Sequence, residues 1–192
     1  MSFETYTDLT AALAGWMKRK DQQARIPDFI RLFEARVNRV LRTGYQRQTA
    51  SIGVYGGAVQ LPDDYLELVT SDDGTKGLRF LTSGQYGVSQ DWDGRYAIEG
   101  RTLRISGDTG TINVRYYAKI PPLGTDNPTN WLLADHPDAY LFGALTEAEP
   151  YLLNDARMAM WKDRGDTAVQ AIQLADDQAR FSGDTLQLRA PR

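Results

Sequence analysis

The chain contains one histidine, His136, set in Asp135-His136-Pro137. An imidazole beside a carboxylate is the smallest unit of general-base catalysis, with Asp135 as the group that orients the ring. No serine stands at a recognisable spacing to complete such a unit. The proline that follows favours an extended backbone at His136, at a helix entrance. Loop or capping duty is therefore the reading of His136. The chain has no cysteine, which rules out thiolate nucleophiles, disulfides and thiolate metal sites. One histidine without a helical pair of ligands does not make a metal centre either. No catalytic, cofactor-binding or metal-binding residue is assigned, and no cofactor is expected.

Carboxylates stand close together at Asp63/Asp64, Asp72/Asp73, Glu147/Glu149 and Asp176/Asp177. A glycoside hydrolase needs two carboxyl groups about 5 to 9.5 Å apart across a cleft. Neighbours on a strand point to opposite faces, and residues two apart on a helix diverge. The four pairs thus read as turns and solvated helix faces. Gly53, Gly56 and Gly57 lie in a hairpin pattern, not in a phosphate-cradling loop between a strand and a helix. The aromatics Trp92, Tyr96, Tyr116, Tyr117 and Trp131 offer either a carbohydrate-binding surface or an interface core, although aromatics mostly pack inside. Trp131, in a loop flanked by proline and asparagine, is the leading interface anchor.

The elements that must hold these residues begin with Ile26–Arg42. Ile30, Phe33, Val37, Val40 and Leu41 recur at helical spacing, and Phe29 and Leu32 widen the stripe. Pro27 and Asp28 suit the start of a helix, and Gly44 suits the left-handed residue that ends one. A shorter helix over Tyr6–Met17 precedes it, with Thr7 as its cap. Arg36 falls within the apolar stripe, so a partner carboxylate at Glu147 or Glu149 is expected.

The period then changes. A hairpin is predicted over Thr49–Leu61 around Tyr55-Gly56-Gly57, then a strand through Leu66, Leu68 and Thr70. Asp73-Gly74 signals a turn, with Leu78–Leu81 as a return strand. Ser83–Val88 reads as one helical turn. Arg95–Ile98 and Thr102–Ile105 form a hairpin around Glu99-Gly100, and Ile112–Ile120 alternates as a strand. Pro121-Pro122-Leu123-Gly124 ends the region. Asp135 or Asp138 can cap the next helix, which Pro150 should break or kink at Glu149. A last helix is predicted over Asn154–Arg180, with Ala156, Met160, Ala168, Ala171 and Ala175 on its inward face. Gly165 costs that helix about 1 kcal/mol relative to alanine.

The fold class is therefore α+β. A helical bundle is formed by N- and C-terminal helices (1–45 and 131–181), with a central antiparallel β insertion in the sequence (46–122) and a tail at 182–192 that includes Leu186 and Leu188. The 192 residues are 42% hydrophobic and 24% charged, enough for a sizeable core. No apolar run approaches the ~18 residues of a membrane span, and Met1-Ser2-Phe3-Glu4 does not begin a secretory signal. Net charge is −3, but unevenly spread. From Lys18 to Arg47 nine basic residues face three acidic ones, and from Asp135 to Arg180 nine acidic face four basic. Blocks of opposite sign suit elements that meet each other or a partner.

Three motifs occur in order: Ile26-Pro27-Asp28-Phe29-Ile30 leading into Glu34–Arg42, then Leu61-Pro62-Asp63-Asp64-Tyr65-Leu66-Glu67-Leu68, then Pro128-Thr129-Asn130-Trp131-Leu132-Leu133 with Tyr140–Leu145. Together they resemble the head-to-tail adaptor (connector) proteins of tailed bacteriophages. The resemblance spans roughly Ile26 to Phe181. It implies a structural protein without a catalytic motif, located in the virion at the head–tail junction after a period in the host cytoplasm. It also implies a homo-oligomeric ring, expected to be dodecameric, between a portal protein and a tail or nozzle protein. Duplex DNA would pass through the ring without sequence-specific binding, and no membrane is involved. A basic channel would retain phosphates, so acidic or neutral lumen residues are expected from the C-terminal helix or tail. Lys18, Arg19, Lys20, Arg31, Arg39, Arg42, Trp131, Leu186 and Leu188 are then the candidates for subunit or portal contacts. The competing readings are a phage hydrolase of cell-wall polysaccharide and a carbohydrate- or protein-binding module.

Overall fold

A computed structural model describes residues 4–18, 20–86, 94–105, 110–148, 151 and 157–181. The chain is mixed α+β and divides into two compact units, one made of residues 1–45 and 120–192, the other of residues 46–119.

The first unit contains α1 (Tyr6–Met17), α2 (Ile26–Val40), α4 (Trp131–Asp135), α5 (Pro137–Glu147) and α6 (Met158–Phe181). A six-residue 3-10 helix over Lys20–Arg25 occupies what the sequence suggests is a polar loop. Thr5, not Thr7, caps α1: its hydroxyl accepts from the Asp8 N–H while the Asp8 carboxylate accepts from the Thr5 N–H, a reciprocal capping box. Helix α2 ends at Val40 because the chain turns extended at Leu41, whose own side chain is buried. Gly44 is thus no left-handed cap and instead opens a 3-10 turn over Gly44–Gln46. The α2 stripe is narrower than its sequence suggests. Phe29, Ile30, Phe33 and Val37 are buried, whereas Leu32 and Val40 are 51% and 58% exposed.

At the centre of this unit lies α5, which packs against α1, α2, α4 and α6. Every residue from Ala139 to Leu145 is buried, the all-round apolar pattern of an enclosed helix. The inward face of α6 also departs from expectation. Met160, Ala171 and Ala175 are exposed, and burial falls on Trp161, Gly165 and Ile172, with Ala168 and Val169 partly covered. The bulky Trp161 fills the core, and the glycine one turn later lets the two helices close. Ala156, Glu149 and Pro150 lie outside the described residues.

The second unit holds two sheets, ordered β1-β7-β3 and β2-β6-β5-β4. Their strands are β1 (Arg47–Gly53), β2 (Ala58–Gln60), β3 (Tyr65–Asp72), β4 (Arg79–Phe80), β5 (Arg95–Glu99), β6 (Thr102–Ile105) and β7 (Thr111–Ala118). A single helical turn, α3 (Ser83–Tyr86), precedes β5. The hairpin expected within 49–61 does not form: β1 pairs with β7 and β2 with β6, leaving one isolated bridge between Tyr55 and Ala58. Each strand does better with a longer partner, because a three-residue β2 cannot bury the face of β1. The chain does return to β3 after Asp73-Gly74, through an antiparallel bridge from Asp72 to Gly77 and a bond from the Leu78 N–H to the Ser71 carbonyl. Strand β4 itself, however, runs parallel to β5. The hairpin of β5 and β6 is as the sequence reads, closed by Gly100 at φ 62°. Alternation along β7 puts Ile112, Val114 and Tyr116 into the core with Val59, Leu103 and Ile105.

Candidate assembly surface

Helix α2 presents one side chain after another to the chain that returns at residue 120. Asn38 Oδ1 accepts from the Ile120 N–H at 2.9 Å, and one turn earlier Glu34 Oε1 accepts from the Leu123 N–H at 2.8 Å. The same Glu34 oxygen accepts from the Tyr140 hydroxyl at 3.0 Å, and that hydroxyl accepts from Asn130 Nδ2 at 2.7 Å. Asn130 also donates to the Pro121 carbonyl and, through Oδ1, caps α4 at the Leu133 N–H. Glu34 is 5% exposed. Burial pushes its carboxyl pKa up, against the lowering effect of the Leu123 and Tyr140 hydrogen bonds and of Arg31. Burial, together with the Glu34 charge, pushes the Tyr140 hydroxyl up as well. The proline-rich return segment is thus bolted to α2 and to the Asn130 cap of α4 through backbone groups that a buried loop must satisfy. Tyr140 of α5 links the Glu34 and Asn130 side chains.

Farther along α2, Arg36 Nη1 donates to Asp166 Oδ1 of α6 at 2.7 Å, and Arg36 Nε lies 2.8 Å from Glu147 Oε1 of α5. The second contact is charge against charge, its N–H direction being off the line of a hydrogen bond. Asp166 takes a further bond from Lys162. Partial burial alone would raise the Asp166 carboxyl, but its bonds from Lys162 and Arg36 outweigh burial and hold it low. At the end of α2, Gln173 of α6 accepts from the Arg42 N–H at 3.0 Å and donates to the Arg42 carbonyl. Asp176 accepts from the Gly44 N–H at 2.6 Å, and Arg180 also reaches the Arg42 carbonyl. These contacts take up backbone groups freed where α2 stops.

Among the described residues the paired carboxylates are taken up by neighbouring donors, and Asp176 and Asp177 share Arg180. Asp63 meets Arg101 at 2.8 Å, and Asp64 accepts from the Tyr116 hydroxyl at 3.0 Å. Burial and then Asp64 push that hydroxyl up to about 12. Asp73 closes its own turn through Thr75 and Lys76, which hold it down to about 2. Asp177 accepts from Gln173, while Asp176 binds Gly44 and Arg180. His136 is the junction residue between α4 and α5. No group of three acidic or histidine side chains gathers as for a metal ion among the described residues. No described helix is long and apolar enough to cross a membrane.

Of the aromatics offered for a binding surface, Tyr96, Tyr116 and Tyr117 are buried. Tyr96 and Tyr116 belong to the sheet core while Tyr117, next to Tyr116 on β7, faces the opposite side and is covered there, so the three cannot form an open platform. Trp131 is half-buried at the start of α4 and stacks on Tyr45, ring centroids 4.9 Å apart and planes 7° from parallel. Tyr45 is 61% exposed and was not legible as a site residue, since nothing in its spacing ties it to Trp131. Lys18 ends α1 in the left-handed conformation and is exposed, as are Arg31 and Arg39. The Arg42 guanidinium folds back onto the Asn38 and Leu41 carbonyls. Arg19, Trp92, Leu186 and Leu188 lie outside the described residues, as does the side chain of Lys20.

Residues 4–189 match the family model described as SU10 adaptor protein. No curated protein matches the chain. A match over nearly the whole length takes in both compact units and the clamps on residues 42–44 and 120–123. The chain therefore belongs to the SU10 adaptor protein family, the phage adaptor family that its motifs resemble.

Proposed function

We propose that the protein is a structural head-to-tail adaptor of a tailed bacteriophage, assembling as a ring, expected to be dodecameric, that joins the portal to the tail and surrounds the DNA channel. The observation that carries this reading is the adaptor-family match over residues 4–189. The separate engagement of Asp63 and Asp64 supports it against a polysaccharide hydrolase, and the burial of Tyr96, Tyr116 and Tyr117 supports it against a carbohydrate-binding face.

In this reading the helices form the packed layer of the ring, and the β region lies outside or meets tail components. Contacts around a ring are heterologous, so two different patches must fit. Arg31, Arg39 and Lys18 supply exposed basic side chains, and Trp131 with Tyr45 an aromatic patch. Leu186 and Leu188 would add contacts from the tail. Duplex DNA passes without sequence-specific binding, along acidic or neutral residues from α6 or the tail. Assembly takes place in the host cytoplasm, and the finished ring sits at the head–tail junction.

The test is to mix the purified protein with its cognate portal ring and image the product. A ring of adaptor subunits on the portal is the expected result. Absence of any complex, or tight and salt-sensitive binding of duplex DNA by the isolated protein, would overturn the reading.

A further inference from the structure

Helix α2 buries Phe33 and Val37 and leaves its opposite side bare. That side carries Asp28, Arg31, Ala35 and Arg39, all exposed, and Leu32, which is 51% exposed. Arg31 and Arg39 stand eight residues apart, about 12 Å along the axis. A second open face lies between α5 and α6. Here a groove of about 400 Å³ has an apolar floor of Phe142, Ala168 and Ala171, with Asp138, Asp163 and Arg164 exposed around it. The Arg164 guanidinium sits over the Phe142 ring, 5.3 Å from its centroid. Among the described residues none of these six charged side chains forms a salt bridge. The α2 face offers one anion and two cations, and the groove offers one cation and two anions.

The two faces point apart. Asp166 and Gln173 of α6 meet Arg36 and Arg42 of α2. Arg164 and Ala171 stand two residues before them, about 200° around the helix. The groove therefore opens on the side of α6 away from α2, and one subunit cannot close its α2 face onto its own groove.

We propose that the α2 face of one copy of the chain docks into the α5–α6 groove of the next copy, a contact that rests on the ring assembly proposed above. Leu32 and Ala35 cover the apolar floor, Arg31 and Arg39 meet Asp138 and Asp163, and Asp28 meets Arg164. Opposite charge selects these two faces and sets their register. A contact between unlike faces that point apart repeats from subunit to subunit, as a closed ring requires. Pairing α2 with α2, or groove with groove, brings like charge together instead.

The test uses two full-length variants and the cognate portal ring. One is Arg31→Glu/Arg39→Glu, the other Asp138→Lys/Asp163→Lys. Each alone should lose the adaptor ring on the portal, while the free subunit unfolds close to the parent. Mixed in equal amounts they should recover it, because alternating subunits restore opposite charge at every contact. Rings from either variant alone would overturn the proposal, and so would a mixture that forms none. Loss in the α2 variant only would assign Arg31 and Arg39 to the portal and overturn it too. A parent that forms no ring removes the adaptor reading, and this contact with it. The absence of cysteine in the chain allows a second reading, which decides the matter if a charge variant fails to fold. Leu32→Cys/Ala171→Cys, oxidised on the portal, should give a ladder of linked subunits. No linkage, or linkage only within one chain, overturns the contact.

Discussion

Gly165 of α6 rests on the backbone of Gly143 of α5: a methyl group at 165 would stand 3.3 Å from the Gly143 nitrogen and from the Phe142 carbonyl carbon. On the other side of α5, a methyl at 143 would stand 2.1 to 2.8 Å from ring atoms of Phe33 on α2. Three helices thus approach at one level because two of them lack a side chain there. Gly165, taken from sequence as a helix defect, is a packing device.

Alanine at these positions separates propensity from packing. Gly143→Ala should lose about 3 kcal/mol or more, since Phe33 is fully buried and has nowhere to retreat. Gly165→Ala gains about 1 kcal/mol of helix propensity and loses about 1 to 3 kcal/mol to the contact, so a net loss of up to about 2 kcal/mol is expected. Gly15→Ala in α1, with nothing within 4 Å, should gain about 0.5 to 1 kcal/mol. Urea unfolding of the three variants checks the order. Equal stability of Gly143→Ala and the parent would contradict the packing described here.

Glu34 makes a prediction about pH. Its carboxyl pKa is raised in the folded chain above the ordinary 4.5, so the folded state holds the proton more firmly. This contribution to stability is complete below pH about 4.5 and is lost as pH rises through the higher folded value. Glu34→Gln keeps an acceptor for Leu123 and Tyr140 without the buried charge. It should match or exceed the parent at pH 7, with the gap closing in acid. Glu34→Ala strands both donors and should cost about 1 to 3 kcal/mol. Thermal unfolding from pH 4 to 8 decides this, and a parent that gains on Glu34→Gln with rising pH would refute the assignment.

The elements legible in the sequence are those whose own residues carry their reason. The limits of α1 and the start of α2 follow from periodicity, Pro27 and Asp28, and the β5–β6 hairpin follows from its glycine turn. The turns at Tyr55-Gly56-Gly57 and Asp73-Gly74 do form, but β1, β2 and β4 pair with strands later in the chain, so a local turn does not name the strand pairing. The Arg36–Glu147 contact was accessible because a cation in an apolar stripe demands an anion. Its second partner, Asp166, was not, because the register of α6 against α2 is set by Gly143 and Gly165. Glu34 looks like an ordinary surface residue of an amphipathic helix. Only the return of Leu123 over it makes it buried.

The Arg36 triad should behave as a partly screened surface cluster. Arg36, Glu147 and Asp166 keep 28%, 23% and 35% of their side-chain surface exposed. A double-mutant cycle of Arg36→Ala with Asp166→Asn should give a coupling of about 0.5 to 1 kcal/mol, shrinking as salt is raised. A coupling of zero at low salt would mean that the pair only fills space. Because Asp166 is held low, its share of stability is present above pH about 3.8 and fades as pH falls through the folded value.

The Tyr45–Trp131 stack separates stability from assembly. Trp131 is half-buried at the head of α4, next to the Asn130 cap, so Trp131→Ala should cost stability as well as any contact it makes. Tyr45 is mostly exposed and lends only one ring face to the stack. Tyr45→Ser should change unfolding stability by about 1 kcal/mol or less, within the range of an aromatic pair. If the stack anchors an interface, the same change should weaken binding to the portal ring by about tenfold or more, as loss of a central aromatic does. Sedimentation of adaptor–portal mixtures measures that loss against the unfolding curve of the free protein. Tyr45→Ser that binds the portal like the parent would move the interface away from this stack.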